Sequence, residues 1–280
     1  MSTVGLTSTD GERYAALRQA LARLAPHDHL CLVYESEEEQ FATIVPYFRN
    51  GLERHEKCVY VADEHTVEEV LQALRAHGIP VDQARQSGAL EVVTQREAYL
   101  RHGYFDPESM IGYMHSAVVA AKAAGYAGLR GAGEMTWMLA GDPGAERLME
   151  YEAKLNYFFP THECVGICQY NRNRFSDELI RDVIRTHPLV IYGGLVCRNH
   201  YYSSAGRVSE SGAHRPRGGT PVGKYPTART GRGLATAQRG AFSYAGGAHS
   251  GRGVPLRRSA TLANALHERG HSDDQRMSAE

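Results

Sequence analysis

Short apolar runs recur along the first two hundred residues, separated by stretches whose apolar positions fall three and four apart. Residues 29–34 (HLCLVY), 57–62 (KCVYVA), 90–94 (LEVVT) and 165–170 (VGICQY) are nearly continuous runs, and each predicts a buried strand. Residues 127–137 (AGLRGAGEMTW) begin as a small-residue run and end in a charged turn, the pattern of a central strand whose carboxyl end opens onto a loop. Two brief runs, 189–192 and 195–197, flank Gly193-Gly194 and predict a closing hairpin.

Helical spacing fills the intervals. In residues 10–25, Tyr14, Leu17, Leu21 and Leu24 form an apolar stripe, with Asp10 as N-cap and Pro26 as stop. Ser36 and Glu39 make a capping box for a helix running to about residue 54, with Pro46 predicting a kink or a later start. Residues 66–77 and 81–87 read as helices, the first stopped by Gly78 and Pro80. Asp106-Pro107 is a cap-and-proline start for a helix through 124, and Asp142-Pro143 repeats it for one through 159. Ser176 caps a helix through 185, which His187-Pro188 breaks. The alternation predicts an α/β domain, a mainly parallel sheet with helices on both faces.

Composition changes that picture at the end of the chain. The net charge of the 280 residues is −1, but residues 203–280 hold twelve Lys and Arg against five Asp and Glu, so the remainder is acidic. This tail is rich in glycine and arginine and has no apolar periodicity, so it cannot bury enough surface to offset ordering, and disorder is expected. A native basic arm that binds nucleic acid or anionic lipid through nonspecific charge, or a shifted reading frame, would each produce it. No apolar run is long enough to span a bilayer, and the first residues carry no signal pattern, so a cytoplasmic location is expected. Five cysteines in strand-like runs suit reduced, mostly buried thiols.

Three constellations carry candidate chemistry. Residues 218–225 (GGTPVGKY) have P-loop spacing, but Tyr225 stands where magnesium needs a hydroxyl and no strand precedes them. His27, His29 and Cys31 alternate, and imidazole with thiolate suits zinc if Glu134 or Cys168 completes the set. Three scattered donors without a tight pair favour a strand-edge histidine and an inert thiol, so no metal is expected. Arg130, Glu134 and Trp137 sit at what reads as one strand exit, where open α/β sheets bind ligands.

Several of these residues also form a recognisable set: H-x-C-x-x-Y at His29, Cys31 and Tyr34; L-R-x-x-G-E-M-x-W at residues 129–137; Y-E-x-x-x-N at Tyr151, Glu152 and Asn156; C-x-Y at Cys168 and Tyr170; and His187-Pro188. The combination resembles the MEDS domain, a prokaryotic sensory module. The resemblance implies a Rossmann-like, RecA-related fold without a P-loop. It also implies sensing of simple hydrocarbon derivatives upstream of a histidine kinase or a transcription regulator. It divides the chain into an N-terminal helix (1–26), a MEDS-like domain (27–202) and the tail (203–280). The expected site is a crevice at the strand carboxyl ends for a small-molecule ligand. There Arg130 and Glu134 orient a polar group, and Tyr34, Trp137 and Tyr170 form apolar walls. His29, Cys31 and Cys168 complete its edge. Neither catalysis nor a cofactor is expected. The rival readings are a degenerate nucleotide-binding protein and a scaffold that only docks a partner.

Overall fold

The computed structural model describes residues 8–202, with side chains from residue 14 onward. Its strands are β1 (His29–Tyr34), β2 (Lys57–Ala62), β3 (Leu90–Thr94), β4 (Leu129–Glu134), β5 (Cys164–Asn171), β6 (Leu189–Tyr192) and β7 (Leu195–Arg198). They form one sheet in the order β3-β2-β4-β5-β1-β6-β7, parallel throughout except for the β6–β7 hairpin. The helices are α1 (Ser8–Leu21), α2 (Glu37–Glu53), α3 (Val67–Ala76), α4 (Val81–Gln86), α5 (Pro107–Ala123), α6 (Leu148–Phe158) and α7 (Asp177–Thr186).

Handedness explains the layers. The connections β1–α2–β2 and β2–α3–α4–β3 step along the sheet in one direction, and those through α5, α6 and α7 step in the other. Right-handed crossovers then place the two sets on opposite faces. Strand residues accordingly alternate between two cores. On β1, Cys31 and Val33 pack with Met110, Tyr151 and Val183 on the α5–α7 side, the front. Leu30, Leu32 and Tyr34 pack with Leu17, Phe48 and Leu71 on the α1–α4 side, the back. Burial on both faces is why β1 and β2 read as unbroken apolar runs: every residue of each is buried.

Local chemistry sets most boundaries. Asp106 caps α5 by accepting from the Ser109 amide, with Pro107 in the first turn. Ser36 accepts from the Glu39 amide at the start of α2, but the Glu39 carboxylate accepts from the Glu35 amide, so the expected capping box is only half made. The complete box is Thr66 with Glu69, at α3. Helix α2 starts where predicted and runs through Pro46. Gly193 and Gly194, at φ 57° and 76°, make the two-residue turn between β6 and β7.

Two starts differ from expectation. Helix α1 begins at Ser8, which places Asp10 inside it rather than at its cap. Helix α6 begins at Leu148 and not at Asp142-Pro143, because Gly141 and Gly144 take left-handed backbone, at φ 77° and 89°, and interrupt the chain with 3-10 turns. A side chain at Gly144 would also strike the Phe105 carbonyl. Residues 203–280, including the P-loop-like stretch, lie outside the described residues.

Candidate functional site

Under the front-face helices, four polar side chains are buried together: His29, Glu152, Cys168 and His187. One donor atom from each lies within 4.8 Å of all the others. His29 opens β1, Cys168 lies beside it on β5, Glu152 projects from α6, and His187 follows the last turn of α7. Glu152 is the hub. Its Oε2 is 3.2 Å from His187 Nε2, 3.5 Å from His29 Nε2 and 3.7 Å from Cys168 Sγ. Its Oε1 accepts from the Tyr170 hydroxyl at 2.5 Å. Cys168 Sγ is 3.6 Å from His29 Nε2.

A second layer orients the imidazoles. His29 Nδ1 meets Asn156 Oδ1 at 3.3 Å, and His187 Nδ1 meets the Val183 carbonyl at 2.6 Å. Asn156 is itself held by donating to the Glu152 and Thr186 carbonyls. Burial, reinforced by His187, lowers the His29 pKa to about 4. Burial and the Glu152 charge push the Cys168 thiol well up.

Beside this group lies an apolar cavity of about 70 Å³ between β2, β4 and β5 and the roof of α5 and α6. Its floor is small because the front-facing residues of β4 and β5 include Gly131, Gly133 and Gly166; Met110, Tyr113 and Leu155 cover it, and Cys168 links it to the polar group. A Cβ at Gly133 would strike the Tyr99 hydroxyl, and one at Gly166 the Phe159 ring, so these positions are filled by neighbours. A Cβ at Gly131 would meet nothing nearer than 4.0 Å, so this glycine opens onto free space.

The back face carries a separate network. Glu134 is fully buried and accepts from the Tyr60 hydroxyl at 2.6 Å, His65 Nδ1 at 2.6 Å, Gln40 Nε2 at 3.2 Å, and the Asp63 and His65 amides at 2.6 and 3.1 Å. It closes the loop between β2 and α3. Tyr34, also on the back, donates to Glu64 at 3.1 Å.

Arg130 does not reach that loop. It stands near the amino end of β4, where its Nε donates to Glu56 at 2.5 Å and its guanidinium lies 4.5 Å from the centre of the Tyr47 ring. Its other two nitrogens have no hydrogen-bond partner. Gly51 makes room for it, since a Cβ there would meet the Arg130 side chain at 2.5 Å. Trp137 lies in the front core, stacked on Tyr99 at 5.0 Å and tilted against Phe105 at 4.6 Å.

The expected single crevice is therefore three places. His29, Cys168 and Tyr170 share the front-face group, and Cys31, the register partner of Cys168, lies on the same face. Glu134 and Tyr34 belong to the back, and Arg130 to the opposite end of the strand. The physical reason is the pleat: Gly133 pairs with Cys168 and Glu134 with Gln169, so Cys168 and Glu134 point to opposite faces. His27 also leaves the group; it precedes β1 at φ 82°, and its ring bonds the Phe159 carbonyl. Glu152, Asn156 and His187 received no role from sequence reasoning. A signal for Glu152 was present, since it shares the inward stripe of α6 with Leu148 and Leu155, four before it and three after.

The short β1–α2 connection bears on nucleotide binding. Only Glu35 and Ser36 join the strand to the helix, and the first turn of α2 holds Glu37, Glu38 and Glu39. Three carboxylates cancel the attraction of a helix N-terminus for phosphate.

The MEDS family, described as the methanogen/methylotroph DcmR sensory domain, matches residues 28–188, a span that contains the whole front-face group. The chain belongs to this family. It is 26% identical over 188 residues to the transcriptional repressor DcmR of Methylorubrum extorquens, a match covering 65% of this chain and 67% of the repressor. Among solved structures, the KaiC-like protein PH0186 of Pyrococcus horikoshii OT3 matches with a TM-score of 0.44 and 14% identity, over 59% of this chain and 70% of that one. The family and the repressor relative give the chain a regulatory, signalling role. No helix among the described residues is long and apolar enough to cross a membrane.

Proposed function

We propose that the domain senses a small, mostly apolar molecule held in the front-face cavity and passes its presence to a transcription regulator or a kinase. The observation that carries this reading is the cavity itself, apolar over most of its wall and open above Gly131, with Cys168 joining it to the buried polar group. About 70 Å³ exceeds the roughly 10–15 Å³ that one water needs, and suits a molecule of few heavy atoms. A simple hydrocarbon derivative, one apolar body with one heteroatom, matches that division of surface. The carboxylates at the start of α2 argue against nucleotide as the ligand. The raised Cys168 thiol argues against a free thiolate nucleophile, and so against a thiol enzyme.

The test is a panel of one- and two-carbon compounds bearing a hydroxyl, amine, thiol or halogen. Thermal stability and Trp137 fluorescence are followed, since Trp137 stacks on the cavity-lining Tyr99. A cognate compound at a hundredfold its Kd should stabilise the domain by about 2.7 kcal/mol. Gly131→Val, which fills free space on a strand that tolerates it, should abolish the response while the variant stays folded. The proposal fails if no compound stabilises the wild type, or if the response persists undiminished in Gly131→Val.

A further inference from the structure

We propose that His29, Glu152, Cys168 and His187 form a buried tetrahedral site for a divalent transition-metal ion of the zinc class. The donor set and its spacing agree with this. Zinc bonds of about 2.0–2.1 Å to nitrogen or oxygen and about 2.3 Å to sulfur set tetrahedral donors roughly 3.3–3.6 Å apart. Four separations within the group are 3.2, 3.5, 3.6 and 3.7 Å, and all lie within 4.8 Å.

The hydrogen bonds around the rings point the same way. Each Nδ1 faces an acceptor, Asn156 Oδ1 or the Val183 carbonyl, so in a neutral ring Nδ1 carries the proton. The Asn156 amide cannot turn without losing its two bonds to carbonyls, so its oxygen stays on His29. Both Nε2 atoms then present lone pairs toward Glu152 Oε2, and His187 Nε2 has no hydrogen-bond partner. Lone pairs converging on a carboxylate oxygen in a dry interior repel unless a cation sits among them. Ring nitrogens fixed from behind by carbonyl or amide oxygens are the usual outer layer of a metal site. Tyr170 occupies Glu152 Oε1 and leaves Oε2 as the single carboxylate donor.

Charge and selectivity fit as well. Two neutral imidazoles, one carboxylate, one thiolate and one divalent cation sum to zero, the least costly total for a buried site. Imidazole and thiolate together favour zinc over calcium or magnesium. Because all four side chains are buried, the ion would enter as the chain folds. This departs from the sequence expectation of no metal, and of the donors that the sequence pattern offers it uses only His29 and Cys168.

The experiment uses the full chain without a histidine tag, refolded from denaturant with zinc or with a chelator. Elemental analysis should find about one zinc per chain, retained through gel filtration, and the chelated sample should melt lower. Refolding with cobalt(II) supplies the second measurement. The wild type should show the strong visible absorption of tetrahedral cobalt and a near-ultraviolet thiolate-to-cobalt band. Cys168→Ser should lose the thiolate band. His162→Ala, which removes the exposed His115–His162 pair as an adventitious site, should change neither. Less than a tenth of an equivalent of metal (on the order of background) with no cobalt band overturns the proposal. A thiolate band that survives in Cys168→Ser overturns the donor set. If Cys168→Ser does not fold, the wild-type cobalt spectrum still decides between a thiolate-containing tetrahedral site and none.

Discussion

Glu134→Gln should destabilise the domain strongly, because Glu134 is the acceptor on which the β2–α3 loop closes. Its two oxygens take five donated hydrogen bonds: Tyr60, His65 Nδ1 and Gln40 on Oε1, and the Asp63 and His65 amides on Oε2. Glutamine replaces one oxygen with an amide that donates, and so turns it against at least two of these donors. Hydrogen bonds to a charged group contribute about 1.5–3 kcal/mol each, so two lost bonds predict a cost of about 3–6 kcal/mol. The pH dependence has a definite sign. The hydrogen bond to Glu134 raises the His65 pKa, so this share of stability is complete below pH 6.5 and is lost as pH rises through the raised value. Glu134 is lowered, since bonds from His65 and Tyr60 outweigh the effect of burial. Its share is therefore present above pH 4.5 and is lost as pH falls through the depressed value. The gap between wild type and Glu134→Gln should therefore be widest between pH 4.5 and 6.5 and narrower at pH 9. Urea denaturation at pH 5.5 and pH 9, followed by circular dichroism and Trp137 fluorescence, measures it. A gap below about 1 kcal/mol that does not change with pH would refute this reasoning and return Glu134 to the ligand-binding candidates.

Two further substitutions test the back face. Arg130→Ala should cost about 3–5 kcal/mol, because it leaves the Glu56 carboxylate buried without its partner. Arg130→Met with Glu56→Gln should recover much of that loss in the same urea assay, and a double variant as unstable as the single one would contradict the pairing. Thr66→Ala removes the N-cap of α3 and should cost about 1 kcal/mol in thermal unfolding, with no change in any small-molecule response.

The strands were legible because both faces of the sheet are covered, which turns buried strands into plain apolar runs. β1, β2, β3 and β6 have the predicted limits. Helix starts were legible where a side chain caps them, as at Asp106 and Ser176, and illegible at α6, where left-handed glycines and not a cap decide the start. The site was legible in its parts but not in its grouping. The chemistry of His29, Cys168 and Tyr170 marks them in the sequence, and the fold brings them together around Glu152. Their partners lie far along the chain, Glu152 on α6, 16 residues before Cys168, and His187 just after α7, 19 residues beyond it, and only the crossovers of α6 and α7 onto one face unite them. Arg130 and Glu134 mislead for a simpler reason. They share a face, but four residues of strand separate them by about 13 Å, so they mark opposite ends of β4.

That geometry gives the motif of residues 129–137 two independent jobs. Leu129, Gly131 and Gly133 face the front and floor the cavity, while Arg130, Ala132 and Glu134 face the back, where the two charged residues hold α2 and the β2–α3 loop. A molecule seated in the cavity, as proposed, would press on the backbone of the strand whose last residue closes that loop. The chain then runs directly into the turn that carries Trp137. Variation at Gly131 should therefore change what the domain responds to at nearly constant stability, and variation at Arg130 or Glu134 should change stability at constant selectivity. Gly131→Val and Arg130→Ala, assayed side by side for melting temperature and for the same fluorescence response, separate the two. If Arg130→Ala alters selectivity among compounds while it stays folded, the two faces of β4 are coupled more tightly than alternation alone requires.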